Sequence, residues 1–223
     1  MADLRPLIIV GASGFGREVA CLVKDINKIK PTWSLLGLVD DNLQGKTVEG
    51  FPILGPVASL SELYPKPLVA IAIADPSSRK RLVETITGYG LQFATLIHPS
   101  VSMSDYVRIG KGSIVCRNTL FTTNIEIGNH CIINVNCSFG HDTVVNEFAS
   151  IMSHTAVAGD VTIGSGCYFG LHCTVINKVK IGSWSTFGAG TVIVKDMPDY
   201  VTAVGVPARI IKHRDMEAGG GAK

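Results

Sequence analysis

The stretch Phe139-Gly140-His141-Asp142-Thr143-Val144 sets an imidazole beside a carboxylate in a region where most other residues are small or β-branched. A free imidazole titrates near pH ~6.5, so at neutral pH it is largely uncharged and can accept a proton without a large shift. Proton transfer is the chemistry such a pair offers. A second constellation lies near the start of the chain. Gly11-Ala12-Ser13-Gly14-Phe15-Gly16 places glycines where a backbone can approach a phosphate at a helix N-terminus, and Asp40-Asp41 supplies acids for a ribose or base. The spacing is G-x-x-G-x-G, which differs from the dinucleotide fingerprint, and the segment is short for a full dinucleotide fold. A single nucleotide fits it better than NAD; a tight turn with a purely structural purpose is the competing reading. Of the other histidines, His154 and His172 lie eighteen residues apart and read as a structural pair, whereas His98, His130 and His213 carry no functional signal.

The elements that hold these residues follow from two periodicities. From Ile97 every sixth residue is apolar as far as Ile193: Ile97, Met103, Ile109, Val115, Phe121 and so on through Phe187. With 46% apolar residues overall, seventeen such positions would coincide by chance on the order of one time in a million. Four residues after every anchor but the last stands a small or β-branched residue, and glycine often follows the anchor directly. This pattern resembles the hexapeptide repeat of left-handed parallel β-helices, which implies three hexapeptides per triangular coil and anchors stacked in one core. A little over five coils are expected over 97–193 with no inserted loop. Phe121 should stack on Phe139, and Phe169 on Phe187. Because no loop leaves the helix, a site must be built from outward-facing repeat positions in a cleft between neighbouring subunits.

Upstream, strands over 7–10, 35–39 and 68–74 alternate with helices over 16–26 and 77–87, a small βαβ domain of Rossmann type. The expected organisation is a small βαβ domain over 1–96, a β-helix over 97–211 and a flexible tail over 212–223. Twenty Lys and Arg against eighteen Asp and Glu, with no block of like charge, argue against a nucleic-acid or membrane partner. The N-terminal apolar run is four residues long, too short for a signal-peptide core or a membrane span, so a cytoplasmic location is expected. Four of the six cysteines, Cys131, Cys137, Cys167 and Cys173, fall at one repeat position and read as small buried thiols.

Taken together, GASGFG, LVDD, AIAD, IHPS, the Ile-Asn pair at 133–134, GHD, AGDVTIG and GVPAR resemble the bacterial sugar acyltransferases of the sialic acid O-acetyltransferase type. Within that group the chain is most similar to the nucleotide-amino-sugar N-acetyltransferases, over about residues 7–211. The resemblance implies acetyl transfer from acetyl-CoA to the amino group of a UDP-, dTDP- or GDP-linked deoxyamino sugar in bacterial surface glycan synthesis, by a homotrimer without a metal. It implies His141 as general base and Asp142 as the group that holds its tautomer; Gly159, about one coil after His141 and so stacked next to it, is the candidate to offer its N–H to the oxyanion. The nucleotide-sugar would lie against Gly11, Ser13, Gly14, Phe15, Gly16, Asp40, Asp41, Ala74 and Asp75, with Asn134 near the acceptor. Acetyl-CoA would run by Ser150, Gly159, Leu171 and Ala189. Relatives often carry histidine in place of Phe15, glycine in place of Ala74 and glycine or proline in place of His154, departures that bear on the identity of the sugar. Sugar O-acetylation is the alternative, and a zinc hydratase of the carbonic anhydrase kind or a non-catalytic nucleotide-sugar scaffold are further ones. The spacings of 11, 13 and 18 residues among His130, His141, His154 and His172 fit a three-imidazole zinc site poorly.

Overall fold

The computed structural model describes residues 4–43 and 45–214. Its first layer is a parallel four-stranded sheet built from β1 (Arg5–Val10), β2 (Trp33–Val39), β5 (Leu68–Ile71) and β6 (Gln92–Phe93) in the order β2-β1-β5-β6, with a small hairpin of β3 (Thr47–Val48) and β4 (Phe51–Pro52) beside it. Leu7, Ile8, Ile9 and Val10 are all buried, as a parallel strand covered on both faces requires. The expected helices are each somewhat longer: α1 spans Gly14–Ile29 and α2 spans Pro76–Gly88. The third strand is shorter than its apolar run. It stops at Ile71, and Ile73-Ala74-Asp75 becomes a loop that ends on the cap of α2, where the Asp75 carboxylate accepts the Ser78 N–H at 2.8 Å ahead of Pro76.

From Leu96 the chain winds into a left-handed β-helix with three faces. The first carries Leu96–Ile97, Ile114–Val115, Ile132–Ile133, Ser150–Ile151, Tyr168–Phe169, Thr186–Phe187 and Val201–Val204, followed by the antiparallel strand Arg209–His213. The ladder therefore runs one rung beyond the sixfold pattern, and Thr186 pairs with Thr202, two residues short of the usual step. The expected tail starts later than 212, since Lys212 and His213 still belong to that last strand; Ala218–Lys223 lie outside the described residues.

The anchors fill the prism. Phe121 and Phe139 stack with ring centroids 5.0 Å apart, and Phe169 and Phe187 pack at 4.8 Å. Where the fourth position after an anchor is serine, threonine or cysteine, its donor reaches a backbone carbonyl: Ser113 Oγ donates to Gly128 O at 2.9 Å, Thr143 Oγ1 to Ala158 O at 3.1 Å and Cys167 Sγ to Gly182 O at 3.0 Å. Cysteine thus stands in for serine or threonine. Burial pushes the Cys131 and Cys167 thiols up to about 12 and those of Cys137 and Cys173 to about 11, so these sulfurs are protonated and inert. Corners recur every six residues, many of them with a residue in the left-handed region, among them Asn124 at φ 54°, His130 at 55°, Asp142 at 59° and Asp160 at 59°. Asn and Asp tolerate that conformation better than most side chains.

The faces differ in what covers them. On the first, Leu96, Ile114, Cys116, Ile132 and Met152 share one apolar cluster with Leu7, Ile9, Ala12 and Ala72 of the α/β layer. The two sequence segments are therefore joined by a common core. The third face, formed by Val107–Ile109, Ile125–Ile127, Val144–Val145, Thr162–Ile163 and Lys180–Ile181, presents Arg108, Glu126 and Lys180 to solvent. The second face comprises Leu120–Phe121, Ser138–Phe139, Ala156–Val157, Thr174–Val175 and Val192–Ile193. Its outward residues Leu120, Ser138, Ala156, Thr174 and Val192 are small or apolar and belong to no buried cluster among the described residues.

Candidate active site

His141 and Asp142 sit at the corner between the second and third faces. Tight turning there puts Asp142 at positive φ, and its carboxylate Oδ2 accepts the His141 Nδ1–H at 2.7 Å. A carboxylate can only accept, so Nδ1 carries the proton and Nε2 is left with its lone pair. The other oxygen, Oδ1, accepts from Asn124 Nδ2 at 2.5 Å. Asn124 lies one coil below Asp142. Hydrogen bonding from Asn124 first, and then from His141, holds the Asp142 carboxyl below the usual range; it is ionised at neutral pH.

The free edge of the imidazole lies over Gly159, one coil above. A Cβ there would come 2.6 Å from His141 Nε2, so only glycine leaves the ring its place. The Gly159 N–H donates to no acceptor among the described residues, whereas the neighbouring Ala158 and Asp160 N–H groups are both used. An unspent donor beside an unprotonated nitrogen is what stabilisation of a developing oxyanion needs. Asp160 brings a further carboxylate: ligand atoms of His141, Asp142 and Asp160 fall within 4.8 Å of one another, all exposed. The other histidines lie elsewhere. His130 is wedged between Phe93 and Phe148, and His154 and His172 stack in parallel at another corner with centroids 4.6 Å apart.

The glycine loop is built from within by Gly11 and Gly16, both buried, where a Cβ on Gly16 would lie 2.0 Å from Gly11 O. Ser13 and Gly14 form its exposed rim, and Ser13 caps α1 without spending its hydroxyl on the cap. Phe15 is half-buried against the shared core. Asp40 ties the loop to the end of β2: its carboxylate accepts the Ala12 and Asn42 N–H groups, each at 2.9 Å, while Asp41 accepts the Val57 N–H at 2.9 Å. Between α1 and the β-helix opens a cleft of about 720 Å³ that brings Gly14, Asn134 and Leu171 together with Arg17, His98 and Arg117. His98 thus has a place that its sequence context did not signal. Its Nδ1 accepts the Ser100 N–H at 3.0 Å, which leaves Nε2–H to donate to Asp25 at 3.3 Å. Arg117 reaches the same carboxylate at 2.8 Å.

The residues expected along acetyl-CoA separate. Leu171 and Ala189 are exposed at one edge of the second face, where Gly190 N–H donates to Leu171 O at 2.8 Å across the coils. Gly159 is at the opposite edge with His141. Ser150 must be corrected: it is fully buried, and its hydroxyl donates to Ala74 O at 2.6 Å beneath the α/β layer, out of reach of a ligand in the groove. Ala74 accordingly offers its carbonyl inward, and Asp75 spends its carboxylate on the α2 cap. His141 does not line the cleft that holds Gly14 and Asn134 in a single chain. Asn124 escaped notice because its role depends on the eighteen-residue step to Asp142, a spacing that the repeat makes readable once the coil is known.

Known proteins share this architecture. The PglD N-terminal domain family matches residues 6–86. GDP-perosamine N-acetyltransferase of Escherichia coli O157:H7 is 31% identical over 163 residues, covering 73% of this chain and 74% of the relative. The acetyltransferase domain of PglB from Neisseria gonorrhoeae FA1090, solved in complex with acetyl coenzyme A, superposes with a TM-score of 0.87 at 29% identity over 94% of this chain and all of that one. A histidine-to-asparagine variant of perosamine N-acetyltransferase from Caulobacter crescentus, in complex with CoA and GDP-perosamine, gives a TM-score of 0.86 at 29% identity over 93% and 97% of the two chains. At 31% identity over nearly three quarters of either chain, and with the same fold over its whole described length, the chain belongs to the hexapeptide-repeat family of nucleotide-amino-sugar N-acetyltransferases.

Proposed function

We propose that this protein moves an acetyl group from acetyl-CoA to the amino group of a nucleotide-linked deoxyamino sugar, in the cytoplasm, as a step in surface glycan synthesis. The observation that carries the reading is the His141 Nδ1–Asp142 hydrogen bond of 2.7 Å, which leaves Nε2 as the one unprotonated nitrogen of the dyad. As the sugar amine attacks the thioester carbonyl, Nε2 takes its proton. The carbonyl oxygen becomes an oxyanion that the Gly159 N–H meets, and collapse of the adduct breaks the C–S bond. The imidazolium returns its proton to the departing CoA thiolate, leaving an amide and a thiol. Relatives solved with acetyl coenzyme A, and with CoA and GDP-perosamine, support this choice of donor and acceptor.

The acceptor binds with its nucleotide along Ser13 and Gly14, above the loop framed by Gly11, Gly16, Asp40 and Asp41, and with its sugar toward Asn134. Acetyl-CoA lies along Leu171 and Ala189. A second copy completes the site, because His141 and Leu171 occupy opposite edges of the uncovered second face; pairing of that face about a threefold axis sets one copy's imidazole beside its neighbour's groove. No described helix is long and apolar enough to cross a membrane. The test is incubation with acetyl-CoA and a panel of UDP-, dTDP- and GDP-linked amino sugars, followed by thiol release and mass of the product. Acetylation of a nucleotide-linked amine is expected. Absence of turnover with every amine, or acetylation of sugar hydroxyls alone, overturns it.

A further inference from the structure

Arg79 is the largest fully buried side chain of the described structure, 1% exposed, and it forms no ion pair among the described residues. A buried cation without a carboxylate is tolerated only when its donors are all satisfied. Here they are, by backbone. Nε–H donates to His130 O at 2.8 Å, Nη1 to Ile73 O at 2.7 Å and Ala74 O at 3.1 Å, and Nη2 to Phe148 O at 2.7 Å and Ala149 O at 3.2 Å. Five donors meet five carbonyls, the full capacity of a guanidinium. An apolar side chain would cover α2 at lower cost, so the interest lies in what these carbonyls connect.

Two of them belong to the loop after β5, and the other three come from successive coils of the β-helix, one eighteen residues past the other. Ser150 of the same coil reinforces the join through its own bond to Ala74 O. The loop in turn presses on the glycine loop: a Cβ on Gly11 would meet Ile73 Cδ1 at 2.7 Å and Ala72 O at 3.1 Å. Contact therefore runs without a gap from the prism through Arg79 to Gly11. Burial lowers the guanidinium to about 10, and it remains charged throughout the physiological range.

We propose that Arg79 is a positioning residue that locks the 73–75 loop to the β-helix and thereby fixes where the glycine loop presents the sugar-nucleotide relative to the prism. This rests on the function proposed above. Lysine would keep the charge but, as a point donor of three hydrogens, cannot span five carbonyls in a plane. The test compares the full-length protein with Arg79→Lys and Arg79→Met. Arg79→Lys is expected to raise KM for the amino-sugar nucleotide at least about tenfold, leave KM for acetyl-CoA within about twofold, and keep the oligomer. Amide exchange over residues 72–75, where the Ala72 N–H is bonded to Val10 O, is expected to accelerate about tenfold while that over 125–127 is unchanged. If Arg79→Met fails to fold, Arg79→Lys decides alone. Equal effects on both substrates, or no change in either KM or loop exchange, overturn the proposal. If the wild-type protein acetylates no sugar-nucleotide, the functional reading fails separately; GDP and UDP affinities by calorimetry, together with exchange, then judge the lock, and unaltered values for Arg79→Lys reject it.

Discussion

Replacing Gly159 by alanine isolates the geometry of the base from its chemistry. The new methyl carbon would lie 2.6 Å from His141 Nε2, 2.7 Å from Cε1 and 2.9 Å from Cδ2, where ordinary contact begins at 3.4 Å. The ring must therefore withdraw by about 0.8 Å, the difference between 3.4 and 2.6 Å. It is free to do so, since its side chain is 59% exposed, and the backbone does not resist alanine because Gly159 is not among the residues at positive φ. The fold and the N–H at 159 both survive. A displacement of about 1 Å at a reacting group costs on the order of 100-fold in rate, equivalent to about 2.7 kcal/mol on the barrier. Steady-state thiol release should show kcat falling by about that factor, with melting temperature within about 2 °C of wild type. Activity within about threefold of wild type would refute the assignment of His141 as base, or of Gly159 as the floor beneath it.

Removing the members of the His141 corner should rank by distance from the proton: loss of kcat increases from Asn124→Ala, at under about tenfold, through Asp142→Asn, near 100-fold, to His141→Ala, at 10² to 10⁴, with acetyl-CoA binding unchanged in calorimetry. Burial, with Arg79 and Lys111 adding to it, pushes His130 down to about 4 from 6.5; the unfolded chain then binds the extra proton between those values, so stability is lost as pH falls from about 6.5 to about 4, by up to about 3 kcal/mol. His130→Asn, which suits the left-handed corner at φ 55°, should flatten the denaturant midpoint measured across that window. Under the proposed pairing, Ala156→Glu, at the middle of the uncovered face, should yield single chains by light scattering and abolish turnover; an intact, active oligomer would remove that face from the site.

Much of this was legible because the β-helix writes its geometry into the sequence with a fixed step. Once Ile97 and its successors are seen, the stacking of Phe121 on Phe139 and of His154 on His172 follows by counting, as does the nearness of Gly159 to His141. The glycine loop and both long helices were equally readable, since Gly11 and Gly16 are demanded by close backbone approach. What could not be read was everything set by docking of one layer on the other. Ser150 looks like any outward strand residue until the α/β layer is laid over it, and His98 finds Asp25 only across that junction. Arg79 occupies an unremarkable helical position whose five acceptors are all backbone carbonyls, which carry no residue signature, and three of them lie more than fifty residues downstream. The cleft beside α1 is likewise a product of packing between layers, so Arg17 and Arg117 had no pattern to betray them.

The constant step of the ladder also governs which changes in chain length the molecule can absorb. Each backbone rung repeats the one below it, as when Ser138 pairs with Ala156 and Ala156 with Thr174, so excision of a whole turn away from the docked layer would join like to like. Loss of a single residue would rotate every later anchor out of the interior and strand the imidazole on the wrong edge. Variation in natural length should therefore arrive in multiples of eighteen within the prism, and gradual growth or shrinkage only at its two ends.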